Sequence, residues 1–264
     1  MTILDEIFAT KRVEVQERMK ACSLAEMRRE AELQTPVLDF TGALKRKSAA
    51  DTLQLIAEVK CASPSKGLLA PNFDPLRLAS IYTQNGAATI SVLTDEKYFK
   101  GSLDYLRQIG GLTPRLPLLR KDFIYHPYQV LEGRAAGADA ILLIAASLDM
   151  VQLQELKTLT EELGMTALIE VHNAEELERT LRVAPALVGI NNRDLHTFNV
   201  SLETCLQLKV LIPEGVCVVA ESGIHTRADV VRLETAGMDA MLVGEALVTA
   251  VNPGLKIRDL LACT

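Results

Sequence analysis

The chain has 264 residues, 48% of them apolar, and 28 Lys+Arg against 34 Asp+Glu leave a net charge of −6 at neutral pH. This is globular composition, and without a long basic run it argues against a chain that works by neutralising nucleic-acid phosphates. The longest strongly apolar stretch, Ala140 to Leu148, is about half of the roughly 20 residues that span a bilayer, and the N-terminus MTILDEIFATKR is too charged for a signal peptide, so a cytosolic protein without a membrane partner is expected.

In chain order, residues 1–48 read as an N-terminal helical extension that packs on the remainder of the chain. Ile3 to Met19 predicts a helix with Leu4, Ile7, Phe8 and Val15 on one side, and Lys45-Arg46-Lys47 reads as a solvated linker. From residue 49 to 264 a single pattern repeats. Short apolar runs occur at Leu53 to Lys60, Ala87 to Leu93, Leu116 to Lys121, Ala138 to Ile144, Thr166 to Val171, Ala186 to Asn191, Val216 to Glu221 and Asp239 to Val243. They are nearly continuous in Val, Ile, Leu and Ala, as parallel strands covered on both faces are. Amphipathic segments with start signals lie between them: Asp74-Pro75 opens Leu76 to Gln84, and Ser201 opens Leu202 to Val210. Three strands are entered through one kind of junction, Gly86-Ala87-Ala88, Gly137-Ala138-Asp139 and Gly237-Met238-Asp239, in which a left-handed glycine ends the helix. Eight strand and helix repeats predict an α/β fold, a (β/α)8 TIM barrel of about 250 residues in one domain. An open doubly wound sheet is the alternative, and the lack of G-x-G-x-x-G after the first strand counts against it.

The five cysteines are odd in number and far apart, which predicts reduced thiols and neither a disulfide framework nor a metal site.

Barrel chemistry sits where strands finish, and here polar residues cluster at those ends. The first strand ends Glu58-Val59-Lys60, the third Arg120-Lys121-Asp122, the fifth Glu170-Val171-His172, the sixth Asn191-Asn192-Arg193 and the seventh Glu221. The period of two puts Glu58 with Lys60, and Asn191 with Arg193, on a common face. One such residue is ordinarily a solvated rim residue. Together, Glu58, Lys60, Lys121, Glu170, Asn191, Arg193 and Glu221 would converge in one cavity, where charges must be paired or used. The seventh and eighth strands are followed by Ser222-Gly223 and Gly244-Glu245, glycine turns of the kind that hold a phosphate on backbone N–H groups.

The segments Glu58-Val59-Lys60 with Ser63-Pro64-Ser65-Lys66-Gly67, Ser91-Val92-Leu93-Thr94-Asp95 with Tyr98-Phe99, Leu119-Arg120-Lys121-Asp122-Phe123, Leu168-Ile169-Glu170-Val171-His172, Gly189-Ile190-Asn191-Asn192-Arg193-Asp194-Leu195 and Ala220-Glu221-Ser222-Gly223-Ile224 closely resemble indole-3-glycerol-phosphate synthase. The resemblance runs over the whole barrel, in order, and includes the N-terminal extension. It implies a lyase of tryptophan biosynthesis that closes the indole ring of 1-(2-carboxyphenylamino)-1-deoxyribulose 5-phosphate with loss of CO2 and water. It further implies Lys121 as the acid at the ketone, Lys60 as the cation for the substrate carboxylate, and Glu170 with Glu58 as the acid and base of dehydration. Asn191 is implied to orient the substrate hydroxyls, Arg193 to bind an anion, and Glu221 to hold the lysine network. Ser63, Phe99, Phe123, Leu142 and Leu195 are implied to line the substrate, with Ser222, Gly223, Gly244 and Glu245 at the phosphate. Glu245 departs from members that carry a small hydroxyl residue there, so only its backbone carries over. The chain also has no Trp to wall the aromatic pocket. The implied partner is a phosphorylated small molecule, with no metal and no cofactor, on a monomer, a homodimer being allowed. A phosphoribosylanthranilate isomerase-like barrel, a Schiff-base aldolase using Lys121 or Lys60 as nucleophile, and a non-catalytic phosphate-binding barrel are the rival readings.

Overall fold

Eight parallel strands close into a barrel in the computed structural model of this chain: β1 (Gln54–Val59), β2 (Thr89–Leu93), β3 (Leu118–Lys121), β4 (Ala140–Ile144), β5 (Thr166–Val171), β6 (Leu187–Asn191), β7 (Cys217–Glu221) and β8 (Ala240–Val243). Each pairs with its chain neighbour, and β8 returns to β1, with Gln54 opposite Ala240. The structure describes residues 3–46, 48, 51–194 and 197–262; Lys47 and Leu195, singled out above, and Cys263, one of the five cysteines, lie outside them.

Every strand falls within its expected run, but all except β5 begin one or two residues later. The leading residues belong to the junctions. Gly86, Gly137 and Gly237 have φ of +100°, +92° and +77° and reverse the chain after a helix. The aspartate that follows in two of them then serves the neighbouring strand. Asp139 Oδ2 accepts from Leu118 N at 2.8 Å, and Asp239 Oδ2 accepts from Val218 N at 2.9 Å. These carboxylates pin adjacent strands at the bottom of the barrel.

Side-chain parity divides the sheet. Ile56, Leu119, Leu142, Leu168, Leu187, Val219 and Leu242 fill the barrel interior, while Leu55, Ala57, Val59, Val218 and Ala220 pack outward beneath the helices. The N-terminal segment forms α1 (Ile3–Ala21), α2 (Leu24–Glu32) and α3 (Phe40–Leu44). Phe40 and Leu44 of α3 join the interior cluster and plug the N-terminal end of the barrel.

Helix α1 extends two residues past its expected end. Its buried face carries Ile7, Phe8 and Val15, and also Lys11, which is 1% exposed. Lys11 Nζ lies 2.7 Å from Asp95 Oδ2, 3.1 Å from Asp122 Oδ1 and 2.9 Å from Glu14 Oε2. Arg120, wholly buried, extends this network to Asp122 and Glu132.

Two expectations are corrected. Lys45 is exposed, but Arg46 is no solvated linker residue: its Nη1 donates to Glu234 O and Met238 O at 3.2 and 3.0 Å, at the C-terminal end of the helix Arg227–Thr235 and the turn that follows it. The helix expected from Leu202 spans Glu203–Lys209, with Leu202 at its cap position. Ser201 still accepts a long bond from Glu203 N at 3.4 Å. Cys61, Cys205 and Cys217 are buried free thiols, and Cys22 is half-buried. Among the described residues, no helix is long and apolar enough to cross a membrane.

Candidate active site

The same parity that sends Ile56, Leu119, Leu168 and Val219 inward carries Glu58, Lys121, Glu170 and Glu221 inward one step later, at the mouth. There the barrel opens into a cavity of about 450 Å³, within the range of small-molecule sites. Lys121 Nζ donates to Glu170 Oε2 at 2.8 Å and to Glu221 Oε2 at 3.0 Å. Lys60 Nζ lies 3.2 Å from Glu58 Oε1 and 5.7 Å from the centre of the Phe99 ring. Glu58 and Glu170 come from β1 and β5, four strands apart in a ring of eight, so they face the cavity from opposite walls.

Burial alone would lower the pKa of Lys121, but Glu170 and then Glu221 outweigh it and hold the ammonium above an ordinary lysine. Burial would raise Glu170; Lys121 and His172 overcome it and keep the carboxylate well below its usual range. Glu221 goes the other way. Burial lifts it to about 7, with the charge of Glu170 adding and Lys121 opposing.

The aromatic wall consists of Phe99 and Phe123, with ring centres 5.9 Å apart, backed edge-on by Phe8 from α1 at 5.8 Å. Leu142 lies below. Ile3, Leu4 and Ile7 of α1 also line the cavity, a use of the apolar stripe that sequence reading took only as packing. Ser63 lines it too, and its Oγ accepts from Lys66 N at 3.3 Å. Asn191 Oδ1 accepts from Arg193 N at 3.0 Å, and both face the cavity.

The adjacent ends of β7 and β8 form the other half. Ser222 and Gly223 have φ of +67° and +79°; the left-handed turn at Ser222, a conformation strained by roughly 1–2 kcal/mol, is held by Asn192 Nδ2 donating to Ser222 O at 3.1 Å. Gly244 opens the helix Glu245–Val248 with no side-chain cap, so no side chain claims the leading N–H groups. Gly244 is also obligatory for close approach. A Cβ there would collide with the Glu58 carboxylate. The Glu245 side chain is engaged by Lys66, which burial opposes but which holds its carboxyl low. Lys60, Lys66 and Arg193 give this part of the cavity its positive charge.

All the described site residues expected from the sequence thus line one cavity. Residues 4–260 match the family model for indole-3-glycerol phosphate synthase. The chain belongs to the indole-3-glycerol phosphate synthase family. A relative of that name from Dehalococcoides mccartyi is 50% identical over 261 residues, covering 98% of this chain and 100% of the relative. One from Roseiflexus castenholzii is 50% identical over 266 residues, covering 98% of each. The solved 3-hexulose-6-phosphate synthase of Salmonella typhimurium shares the fold, with a TM-score of 0.64 at 11% identity, over 80% of this chain and 97% of that one. As an indole-3-glycerol phosphate synthase family member, the chain is a decarboxylating, ring-closing lyase, and the isomerase, aldolase and non-catalytic readings fall away.

One group beside this site, quoted at the end of the fifth strand, has no role in the sequence reading. His172 follows Glu170 at the i+2 spacing that was used for the other pairs, and its ring lies against that carboxylate.

Proposed function

We propose that this mouth converts 1-(2-carboxyphenylamino)-1-deoxyribulose 5-phosphate into indole-3-glycerol phosphate, CO2 and water in the tryptophan route. The observation that carries the reading is the Lys121 ammonium held between Glu170 and Glu221, across the cavity from the Lys60–Glu58 pair. The phosphate sits on the backbone of Ser222, Gly223, Gly244 and Glu245, with Arg193 adding charge. The anthranilate ring lies between Phe99, Phe123 and Leu142, which puts its carboxylate at Lys60. Asn191 and Ser63 take the sugar hydroxyls.

Ring closure then follows from charge. Lys121 polarises the ketone, the ring carbon that bears the carboxylate attacks it, and the new C–C bond forms as the oxygen takes a proton. Glu221, 3.0 Å from Lys121 Nζ and titrating near neutrality, replaces the proton that the lysine gives up. CO2 leaves with its bonding electrons returning to the ring. Water departs last: Glu170, held ionised, takes the proton from the neighbouring carbon, and Glu58 on the opposite wall acts as the acid that protonates the departing hydroxyl. Residues 1–48 act as an extension of the catalytic barrel 49–264, and the protein works as a cytoplasmic monomer.

The test is direct, because the chain has no Trp and the product carries an indole. Purified protein mixed with the deoxyribulose phosphate should develop indole fluorescence and release one CO2 per indole. Silence beside a working control enzyme would reject the reading.

A further inference from the structure

His172 touches none of the cavity, yet its side chain is 7% exposed and lies between two carboxylates. Nε2 is 3.3 Å from Glu170 Oε1, an ion-pair contact off the line of a hydrogen bond, and Nδ1 is 3.1 Å from Glu176 Oε2. Glu176 is itself fixed. Its Oε2 also accepts from His172 N at 2.8 Å, and its Oε1 accepts from Asn173 Nδ2 at 2.6 Å.

A neutral imidazole has one N–H and one lone pair, so either tautomer would leave an unprotonated ring nitrogen 3.1 or 3.3 Å from a carboxylate oxygen. Only the doubly protonated ring suits both neighbours. We propose that His172 is a positioning residue for ring closure: an imidazolium clamped between Glu170 and Glu176 that fixes Glu170 Oε1 and leaves Oε2 to Lys121. The proposal rests on the reading of Glu170 and Lys121 given above.

The charge balance agrees. Two cations, Lys121 and the imidazolium, meet three carboxylates, Glu170, Glu176 and Glu221; Glu221, lifted to about 7, is the one that carries a proton, and Glu170 stays ionised. The titratable groups that meet the ring are Glu170, from its own strand, and Glu176, from the helix Ala174–Leu181; Lys121, on β3, reaches it only through Glu170. Burial pushes the imidazole down, but the two carboxylates outweigh it and bring it to about 10.

The experiment has two arms. Nitrogen-15 histidine spectra of the whole protein, with the His172 signal assigned by its loss in His172→Gln, should show both ring nitrogens protonated and no titration over roughly pH 6–9, where an ordinary histidine changes state. A ring that titrates near 6.5 overturns the clamp. In the kinetic arm, Gln keeps an N–H donor but no charge, so kcat should fall roughly 10- to 100-fold with KM within about twofold. The acidic limb of the kcat profile should also move to higher pH, because Glu170 has lost a cation. A variant with a lowered Tm but an unchanged kcat and pH profile makes His172 structural and overturns the proposal. Should the wild type form no indole at all, the functional reading fails, and the spectra still decide the clamp.

Discussion

Two carboxylates hold the Lys121 ammonium more firmly than an ordinary lysine holds its proton, yet the reaction needs that proton near the ketone. Polarisation first and transfer second reconcile the two, with Glu221 as the reserve. Lys121→Ala should therefore leave the barrel folded and lower kcat by about 10²- to 10⁴-fold, read from indole fluorescence. A loss below about tenfold would pass the role to Lys60. Glu221 makes a separate prediction in stability. Its folded pKa of about 7 stands above the 4.5 of an ordinary glutamate, so the native state keeps a proton that the unfolded chain has lost. Its contribution is complete below about pH 4.5 and is lost as pH rises through 7, by a few kcal/mol. Relative to wild type, Glu221→Gln should gain in Tm between pH 5 and pH 8, since the amide never ionises. Equal pH slopes for the two proteins would contradict the raised pKa.

At the scale of elements, α1 joins the site to the extension through one buried cation. Lys11 touches Asp95, whose Oδ1 accepts from Tyr98 N and Phe99 N, and Asp122, whose Oδ1 accepts from Phe123 N. One ammonium thus ties both aromatic walls to the helix that roofs them. Lys11→Met strands the buried Asp95 carboxylate and leaves Asp122 to Arg120 alone, so unfolding in denaturant should show about 3–5 kcal/mol of lost stability, and substrate KM should rise as Ile3, Leu4 and Ile7 loosen. A stable variant with an unchanged KM would contradict this linkage. The turn after β8 carries the next prediction. Gly244→Ala pushes Glu58 away from Lys60 before it obstructs a phosphate, so substrate and its dephospho analogue should weaken alike in KM and Ki measurements, with kcat falling. Selective loss of the phosphorylated ligand would put the substitution's effect at the phosphate alone.

These elements differ in how legible they were. The strands announce themselves because burial on both faces demands continuous Val, Ile, Leu and Ala, and strand parity then aims Glu58, Lys60, Lys121, Glu170 and Glu221 without further information. Arg46, Lys11 and Asp139 were not legible, because each satisfies a partner from another part of the chain, and only the closed fold brings those partners into reach.

For the whole molecule, closure is the property that no single repeat contains. The barrel holds its mouth in shape because β1 pairs on one side with β2 and on the other with β8, and because α3 fills the opposite end. Pattern counting predicts eight repeats and a closed barrel; the residue-by-residue pairing that sets the ends of β7 and β8 side by side is a matter of three-dimensional register. The place of the last strand also sets a schedule. β8 is translated about 185 residues after β1, and Asp122 about 110 residues after Lys11. At roughly 5–20 residues per second, α1 leaves the ribosome several seconds or more before its carboxylate partner, and the two free edges of the nascent sheet stay open longer still. The most buried lysine among the described residues is therefore among the first charges made, and it must wait for Asp122 until the third strand is complete.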